Sequence, residues 1–351
     1  MARLDKVDGQ WANLDKPGGA VYFVSGGTVA YKGIAGSNNH SGLDPKKPLA
    51  TIAQAHTLCV AGRGDTIVLT PGTITVTAAI AITKADVTLC GAAPVGPLEY
   101  PTSLITAAAT YDLNLITIDA NNVVISGLGF EAGFTTVTAN QEVIQVNSVS
   151  NATNYYGTVI ENCYFDLQRA AGAASATDTD LDVIRLGFDS TDAAIASTVR
   201  GCTIQGYNQD AISVTAGSID CVIENNRIVP EVGVGRTGIS LLAKNALVKG
   251  NWVKADTSSS TTGCIVVGVA AAAAVVTDNH LVAEGGANTL GIYFINTATG
   301  WTARNFIHAA AGNLVDYKTS STTPSSNIDW GNVTGTDPAA PSIITPTVDG
   351  S

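Results

Sequence analysis

Ile223-Glu224-Asn225-Asn226-Arg227-Ile228 is one copy of a six-residue phrase that recurs along this chain. The phrase has an apolar, a variable, a small or polar, an Asn-like, a variable and an apolar residue. Its seven copies begin at residues 125, 160, 199, 223, 248, 276 and 302, in steps of 35, 39, 24, 25, 28 and 26 residues. The later steps are typical of solenoid repeats. The phrase therefore predicts a solenoid, with extra loops in the earlier coils.

A second phrase runs in step with the first. Its central isoleucines are spaced 28, 27, 26 and 27 residues apart, at Ile184, Ile212, Ile239, Ile265 and Ile292. Both phrases are short, rich in Val, Ile and Thr, and alternate apolar with polar residues, which is typical of strands with one buried face. Two strands in each repeat, without long helices, predict a parallel β-solenoid whose coils lie roughly 4.8 Å apart.

The fourth position of the first phrase holds the same residue in four successive coils: Asn226, Asn251, Asn279 and Asn305. Identical residues at one solenoid position lie above one another, so their amides can hydrogen-bond along the axis. The pattern resembles the asparagine ladder of right-handed parallel β-helices with the pectate-lyase-like fold, over roughly residues 87–317. The resemblance implies an all-β chain that forms a single right-handed parallel β-helix of about eight to ten coils.

Two earlier coils place cysteines at the same ladder position, Cys163 and Cys202. Adjacent cysteines in a ladder either stack as small apolar groups or form a disulfide bridge. We expect stacked free thiols, because six cysteines in 351 residues do not make a disulfide scaffold and show no zinc-like spacing.

The region before the repeat has its own pattern. A turn-rich loop over residues 33–48 precedes residues 49–59, whose helical spacing of apolar residues predicts one amphipathic helix. Residues 64–73, Gly-Asp-Thr-Ile-Val-Leu-Thr-Pro-Gly-Thr, predict a turn, a strand and a turn. This succession resembles the N-terminal segments of β-helix proteins that include bacteriophage spike and surface proteins. It implies a helix-containing cap over the first coil, which would otherwise expose strand edges.

These patterns predict four segments. They are an N-terminal arm over residues 1–20, a cap over 21–86, the right-handed β-helix over 87–319 and an extended, Ser-, Thr- and Pro-rich tail over 320–351.

The charge of the chain limits its partners. A net charge of −11 argues against nucleic acid and anionic membrane surfaces and suits basic partners or neutral glycans. The first residues lack the apolar core of a secretory signal, and no apolar run reaches transmembrane length. We therefore expect synthesis in a host cytoplasm, no membrane partner, and a location in a virion.

Acidic residues supply the candidates for chemistry. Asp178, Asp180 and Asp182, with Asp166 nearby, could bind calcium or supply a glycosidase pair. A solvated loop rim is the alternative that the sequence favours. Glu161 begins a series in which the second position of the phrase alternates in sign, through Arg200, Glu224 and Lys249. This alternation favours a cross-strand charge ladder over a catalytic pair of glutamates. No cofactor motif is present in the sequence, so no cofactor is expected.

The resemblance to bacteriophage proteins implies a structural virion protein, either a capsid-surface decoration or a short spike or fibre. It also implies a homotrimer, whose N-terminal arm contacts the major capsid protein or another virion protein, with a host-surface glycan as a further ligand. One alternative is a polysaccharide lyase or glycoside hydrolase of the tailspike type, which would act through Asp166, Asp178, Asp180, Asp182 and Glu161. Another alternative is a bacterial adhesin. The sequence favours the structural role over catalysis.

Overall fold

Three long sheets dominate the computed structural model of this chain. The model describes residues 4–7, 10–13, 18–26, 34–92, 101–107, 114–131, 141–148, 153–167, 181–207, 209–230, 237–255, 263–268, 270–283, 290–295, 298–309, 328–330, 333–335 and 342–343. All strand pairs in the three sheets are parallel within these ranges, except the last pair of sheet 2.

The strands of each sheet follow one another along the shaft. Sheet 1 contains β3 (Val21–Val24), β4 (Thr66–Leu69), β7 (Thr88–Gly91), β10 (Val124–Ser126), β14 (Val159–Glu161), β18 (Thr198–Arg200), β21 (Val222–Glu224), β24 (Leu247–Lys249), β27 (Ala274–Thr277), β30 (Gly300–Ala303) and β32 (Ile328–Trp330). Sheet 2 contains β5 (Gly72–Val76), β8 (Ser103–Ala107), β11 (Gly129–Glu131), β15 (Tyr164–Asp166), β19 (Thr203–Tyr207), β22 (Arg227–Pro230), β25 (Trp252–Ala255), β28 (His280–Ala283), β31 (Phe306–Ala309), β33 (Val333–Gly335) and β34 (Ser342–Ile343). Sheet 3 contains β6 (Ile80–Ile82), β9 (Ile116–Ile118), β12 (Gln141–Val146), β16 (Leu181–Leu186), β20 (Asp210–Val214), β23 (Thr237–Leu241), β26 (Gly263–Val267) and β29 (Leu290–Phe294).

Two small pairs of strands complete the list. β1 (Leu4–Val7) and β2 (Gln10–Asn13) are antiparallel, and β13 (Tyr155–Tyr156) pairs in parallel with β17 (Ala194–Ile195). From β4 to β31 the chain passes from sheet 1 to sheet 2 to sheet 3 and returns to sheet 1, one strand spacing further along. This winding is that of a parallel β-helix.

The six-residue phrase is the bend between sheet 1 and sheet 2. Its third residue adopts a left-handed backbone conformation, with φ of 52° at Asn162, 56° at Asn225 and 51° at Arg304. Gly and Asn tolerate this conformation best, which explains why the phrase prefers small or polar residues there. The left-handed residue turns the chain sharply, so that the residue after it points into the shaft.

That inward residue forms the ladder. The Nδ2 of Asn226 donates to Oδ1 of Asn251 at 3.0 Å, Asn251 donates to Asn279 at 3.0 Å, and Asn279 donates to Asn305 at 2.9 Å. Each amide also donates to a backbone carbonyl of the preceding coil, as Asn226 does to Val199 at 3.0 Å. Because all four amides are buried, these bonds satisfy groups that would otherwise be costly to bury.

Cys163 and Cys202 occupy the same inward position, two coils and one coil before Asn226 respectively, and both are buried free thiols. The Sγ of Cys202 lies 3.8 Å from the carbonyl oxygen of Ile160. Burial raises the pKa of Cys163 well above its ordinary value, so this thiol stays protonated.

Apart from the asparagine ladder, the shaft interior is mainly apolar. The middle residues of successive sheet 1 strands, such as Ile160, Val199 and Ile223, are fully buried. Phe130 and Phe165 stack in neighbouring coils with their ring centroids 4.8 Å apart, one strand spacing. Aliphatic burial therefore stabilises the solenoid along its length, and the aromatic stack adds to the step between β11 and β15.

The predicted cap helix is present as α1 (Ile52–Leu58). Its N-cap Thr51 accepts from the backbone N–H of Gln54 at 3.2 Å, and Lys84 Nζ donates to the carbonyls of His56, Thr57 and Cys59 at its C-terminal end. The helix packs against β3, β4 and β6. Among the described residues, no helix has the length and apolar character needed to cross a membrane.

Candidate functional site

The acidic residues proposed from the sequence do not form one cluster. Glu161 ends β14 in sheet 1, Asp166 ends β15 in sheet 2, and Asp182 lies in β16 in sheet 3. Asp178 and Asp180 lie outside the described residues. The three described members therefore belong to three different faces. Asp166 has Glu131 in register beside it, and Asp182 has carboxylates on both sides, Glu142 and Asp210.

Asp182 is the centre of an acidic row at the start of three successive sheet 3 strands. It pairs in register with Glu142 of β12, and the backbone N–H of Asp210, the first residue of β20, donates to its Oδ1 at 3.2 Å. The Cα atoms of neighbours in this row are therefore roughly 4.8 Å apart, and those of Glu142 and Asp210 roughly twice that.

A polar column runs beside the acidic row on the outer face of sheet 3. Thr117, Gln145, Arg185, Ser213 and Ser240 follow one another in register, one for each coil. Their amide, guanidinium and hydroxyl groups offer both donors and acceptors along the shaft. The column ends in Val266 and Tyr293, which are buried and pack together.

Glu142 is the most buried carboxylate of this face, with 2 % of its surface exposed. Its Oε1 accepts from Arg185 Nη1 at 3.1 Å. Its backbone N–H donates to Asn114 Oδ1 at 3.0 Å, and Asn114 Nδ2 donates to Gln145. These bonds connect Glu142, a member of the acidic row, to Arg185 of the polar column directly and to Gln145 through Asn114.

The surroundings of Glu142 change its acidity. Burial raises its pKa from 4.5 to about 7, Arg185 opposes this shift, and the nearby Asp182 carboxylate adds to it. A carboxyl group with a pKa near 7 exchanges protons at neutral pH. The face thus combines a protonatable glutamate with an aspartate directly beside it, an arrangement that can support acid–base chemistry.

Two polar atoms next to this face have no hydrogen-bond partner among the described residues. They are Nε of Arg185 and Oε1 of Gln209, the residue that precedes Asp210, and both are buried. Arg185 uses its other nitrogens on Glu142 and on the carbonyl oxygen of Phe188, the latter at 2.8 Å. Buried polar groups are usually paired.

Glu161 has a different environment on sheet 1. Arg200 donates to its Oε2 from Nε at 2.9 Å and from Nη2 at 2.7 Å, and the Ser126 hydroxyl donates to its Oε1 at 3.2 Å. Glu224 and Lys249 continue the row with an N–O distance of 3.6 Å. Glu161 and Glu224 are thus separated by Arg200, as a charge ladder requires, and both have cationic partners.

The described residues contain no group of three or more His, Cys, Asp or Glu that could hold a metal ion. The calcium site proposed at Asp178, Asp180 and Asp182 depends on two residues outside the described ranges, so it stays a prediction.

Comparison with solved structures settles the architecture. The chain is similar to XylC in a complex with xylose, with a TM-score of 0.55 and 12 % identity over 90 % of this chain and 68 % of that one. It is also similar to pectate lyase Pel9A, with a TM-score of 0.52 and 10 % identity over 90 % of this chain and 77 % of that one. The chain is a right-handed parallel β-helix.

A third right-handed β-helix, the alginate lyase of Paenibacillus sp. str. FPU-7, has a TM-score of 0.51 and 18 % identity over 77 % of this chain and 96 % of that one. No family model and no curated protein matches the sequence. The predicted fold class and its resemblance to the pectate-lyase-like fold are therefore confirmed, and at these identities the similarity concerns the fold.

The reasoning from sequence did not single out Glu142, Arg185 or Asp210. A signal for them was present in the second repeated phrase. An acidic residue precedes its apolar pair in three successive coils, at Glu142, Asp182 and Asp210. Aligning the second phrase in the same way as the first would have brought these three residues into one row.

Proposed function

We propose that this protein binds a neutral glycan along the outer face of sheet 3, with Arg185 and Glu142 at the centre of the site. The observation that carries the proposal is the pair of the buried Glu142 with the partly exposed Arg185, beside the polar column. About a quarter of the Arg185 side chain is exposed, so its guanidinium can donate to a sugar hydroxyl that lies on this face.

The shape of the face supports an extended ligand. The polar column advances by one residue for every strand spacing, and a sugar unit in an extended glycan is of similar length. The acidic row and the net charge of −11 disfavour polyanionic glycans. The solved structures with similar folds include proteins named for xylose, pectate and alginate, which supports a saccharide as the ligand class.

In this proposal the β-helix is a rigid carrier for the glycan site on a bacteriophage virion, as a capsid-surface decoration or a short spike or fibre. The N-terminal arm contacts the major capsid protein or another virion protein. The resemblance of the loop, helix and strand at the start of the chain to bacteriophage spike proteins supports this location.

Affinity electrophoresis through gels that contain xylan, dextran or alginate tests the glycan site. We expect at least one neutral polysaccharide to retard the protein, and alginate not to. The Arg185→Met variant should lose the retardation, whereas Arg200→Met, which removes an equivalent arginine on sheet 1, should keep it. Equal retardation of both variants would overturn the site, and no retardation by either neutral polysaccharide would count against neutral glycans.

A second candidate function is glycoside hydrolysis at the same face, favoured by the raised pKa of Glu142. Retaining hydrolases place two carboxyl groups about 5–5.5 Å apart and inverting ones about 6.5–9.5 Å apart. One strand spacing separates Glu142 from Asp182 and two separate it from Asp210, so the row suits either geometry. Glu142 would be the acid, and Asp182 or Asp210 the nucleophile or base.

Reducing-end release from the retained polysaccharide tests this second candidate. Hydrolysis predicts release by the wild-type protein and at least a hundredfold loss in Glu142→Gln, a range typical of general acid catalysis. Binding without release would leave the glycan site in place and reject catalysis.

A further inference from the structure

Sheet 1 presents a row of mostly apolar side chains on its outer face. The first residues of β10, β14, β18, β21 and β24 and the second residues of β27 and β30 stand in register, one in each coil. This apolar stripe contains Val124, Val159, Thr198, Val222, Leu247, Val275 and Trp301. Every member is at least partly exposed, and 51 % of the surface of Trp301 is exposed. Single exposed apolar residues are ordinary, but a row over seven coils is not.

The other two faces of the shaft differ from sheet 1 at the equivalent position. On sheet 3 that position holds the polar column that includes Gln145, Arg185 and Ser213. On sheet 2, Arg227 lies over the Trp252 ring at 5.0 Å and the His280 ring meets Phe306 at 4.9 Å, so cationic and aromatic groups are mixed. A row of apolar side chains interrupted only by Thr198 is therefore a property of sheet 1 and does not follow from the fold.

Polar residues border the stripe on both sides. The bend before it carries small or polar exposed residues, such as Ala196, Asp220 and Asn245. Two residues after each stripe position lies the charge ladder of Glu161, Arg200, Glu224 and Lys249. An apolar stripe with a polar rim has the arrangement of a protein–protein interface. Because the ladder charges already pair within the chain, the rim presents no large net charge of one sign.

The dimensions of the face suit a partner with the same axial period. From β10 to β30 the stripe is roughly 29 Å long and its face roughly 15 Å wide, so a pair of such faces would bury about 900 Å², the size of a weak, concentration-dependent interface. The side chains of the stripe repeat at one strand spacing. Another β-solenoid has the same repeat, and a second copy of this chain supplies both the period and a matching apolar row.

We infer that sheet 1 is a self-association surface, on which the apolar stripe of one copy packs against the stripe of another. The homotrimer expected from the sequence is one closed assembly of this kind, with three stripes around a common axis. The surface lies on a different sheet from the glycan site, so self-association does not depend on the proposed function.

Static light scattering coupled to gel filtration, with the full chain over a range of concentrations, tests the inference. We expect the wild-type protein to have a mass that is a whole-number multiple of the chain mass. Val222→Glu combined with Leu247→Glu places two carboxylates in the stripe and should give a monomer. The matched control, Ser213→Glu combined with Ser240→Glu, places the same charges at the equivalent positions of sheet 3 and should keep the wild-type mass.

Far-ultraviolet circular dichroism and thermal melting establish that both double variants are folded. If the stripe variant does not fold, Trp301→Ala replaces it, because Trp301 is exposed and its loss should still shift the assembly towards monomer by several-fold in dissociation constant. A monomeric wild-type protein at all concentrations, or an assembly that persists in a folded stripe variant, overturns the inference. Retention on a neutral polysaccharide gel, measured on the same variants, reports on the glycan site separately.

Discussion

Sheet 1 and sheet 3 each bury a glutamate and pair it with an arginine from the following coil, yet the two pairs differ. Glu161 has 5 % of its surface exposed and receives two bonds from Arg200 and one from Ser126. Glu142 has 2 % exposed and receives one bond from Arg185, which also serves a backbone carbonyl and leaves Nε unpaired.

The neighbours of each glutamate account for this difference. On sheet 1, Glu161 lies between Ser126 and Arg200, and Glu224, the next glutamate in the ladder, pairs with Lys249. On sheet 3, Glu142 lies beside Asp182, whose negative charge helps to raise the pKa of Glu142 to about 7. The same residue types therefore stabilise the shaft where their charges are fully paired, and form a candidate site where they are not.

The largest expected effect comes from breaking the sheet 1 pair. Arg200→Met leaves Glu161 buried without its cation and should lower the free energy of unfolding by about 2–3 kcal/mol. Arg185→Met should cost only about 1 kcal/mol, because Arg185 makes one bond to Glu142, which can take up a proton. Urea denaturation of both variants at neutral pH measures the difference, and equal losses would remove the distinction between the two pairs.

The second largest expected effect is the pH dependence of stability that Glu142 causes. Its pKa is raised on folding from 4.5 to about 7, so the folded state binds the proton more tightly and loses stability as pH rises through this window. Glu142→Gln mimics the protonated form and should be more stable than wild type by about 2 kcal/mol at pH 8, with little difference at pH 4.5.

Thermal melting across this pH range checks the Glu142 effect. Glu161→Gln is the matched control, because it weakens the two bonds from Arg200 and should destabilise the protein at pH 8 instead of stabilising it. A Glu142→Gln variant that is less stable than wild type at pH 8 would show that Glu142 is held as a carboxylate.

The smallest expected loss of stability comes from Lys249, the last residue of the sheet 1 charge ladder. Lys249 is about half exposed and its Nζ lies 3.6 Å from Glu224 Oε2. Lys249→Ala should lower the free energy of unfolding by no more than about 0.5 kcal/mol, since solvent screens such pairs. A loss comparable to that of Arg200→Met would mean that the ladder acts as one cooperative unit.

The sequence was sufficient to predict the solenoid, because its repeat follows from the geometry of one coil. The left-handed bend at residues such as Asn225 and the inward amide at Asn226 recur wherever the chain turns from sheet 1 to sheet 2, so the period and the residue types appear together. The helix before the first coil was predictable for a similar reason, since its apolar spacing and its N-cap Thr51 are local features.

The candidate site was much less predictable. Glu142 and Asp182 are 40 residues apart, and their register depends on two bends and a loop between them. The pKa of Glu142 depends on burial, which no residue type shows by itself. The charge ladder that includes Glu161 and Arg200 was predictable, because acidic and basic residues alternate at the second position of the six-residue phrase in successive coils.

Glu142, unlike an ordinary carboxylate, has a pKa close to physiological pH. Carbon-13 NMR of the protein labelled at the glutamate carboxyl carbons, with Glu142→Gln to assign the resonance, measures this directly. We expect a titration midpoint near 7, which rises further in Arg185→Met because the guanidinium opposes the rise in pKa. A midpoint near the ordinary value of 4.5 would contradict it.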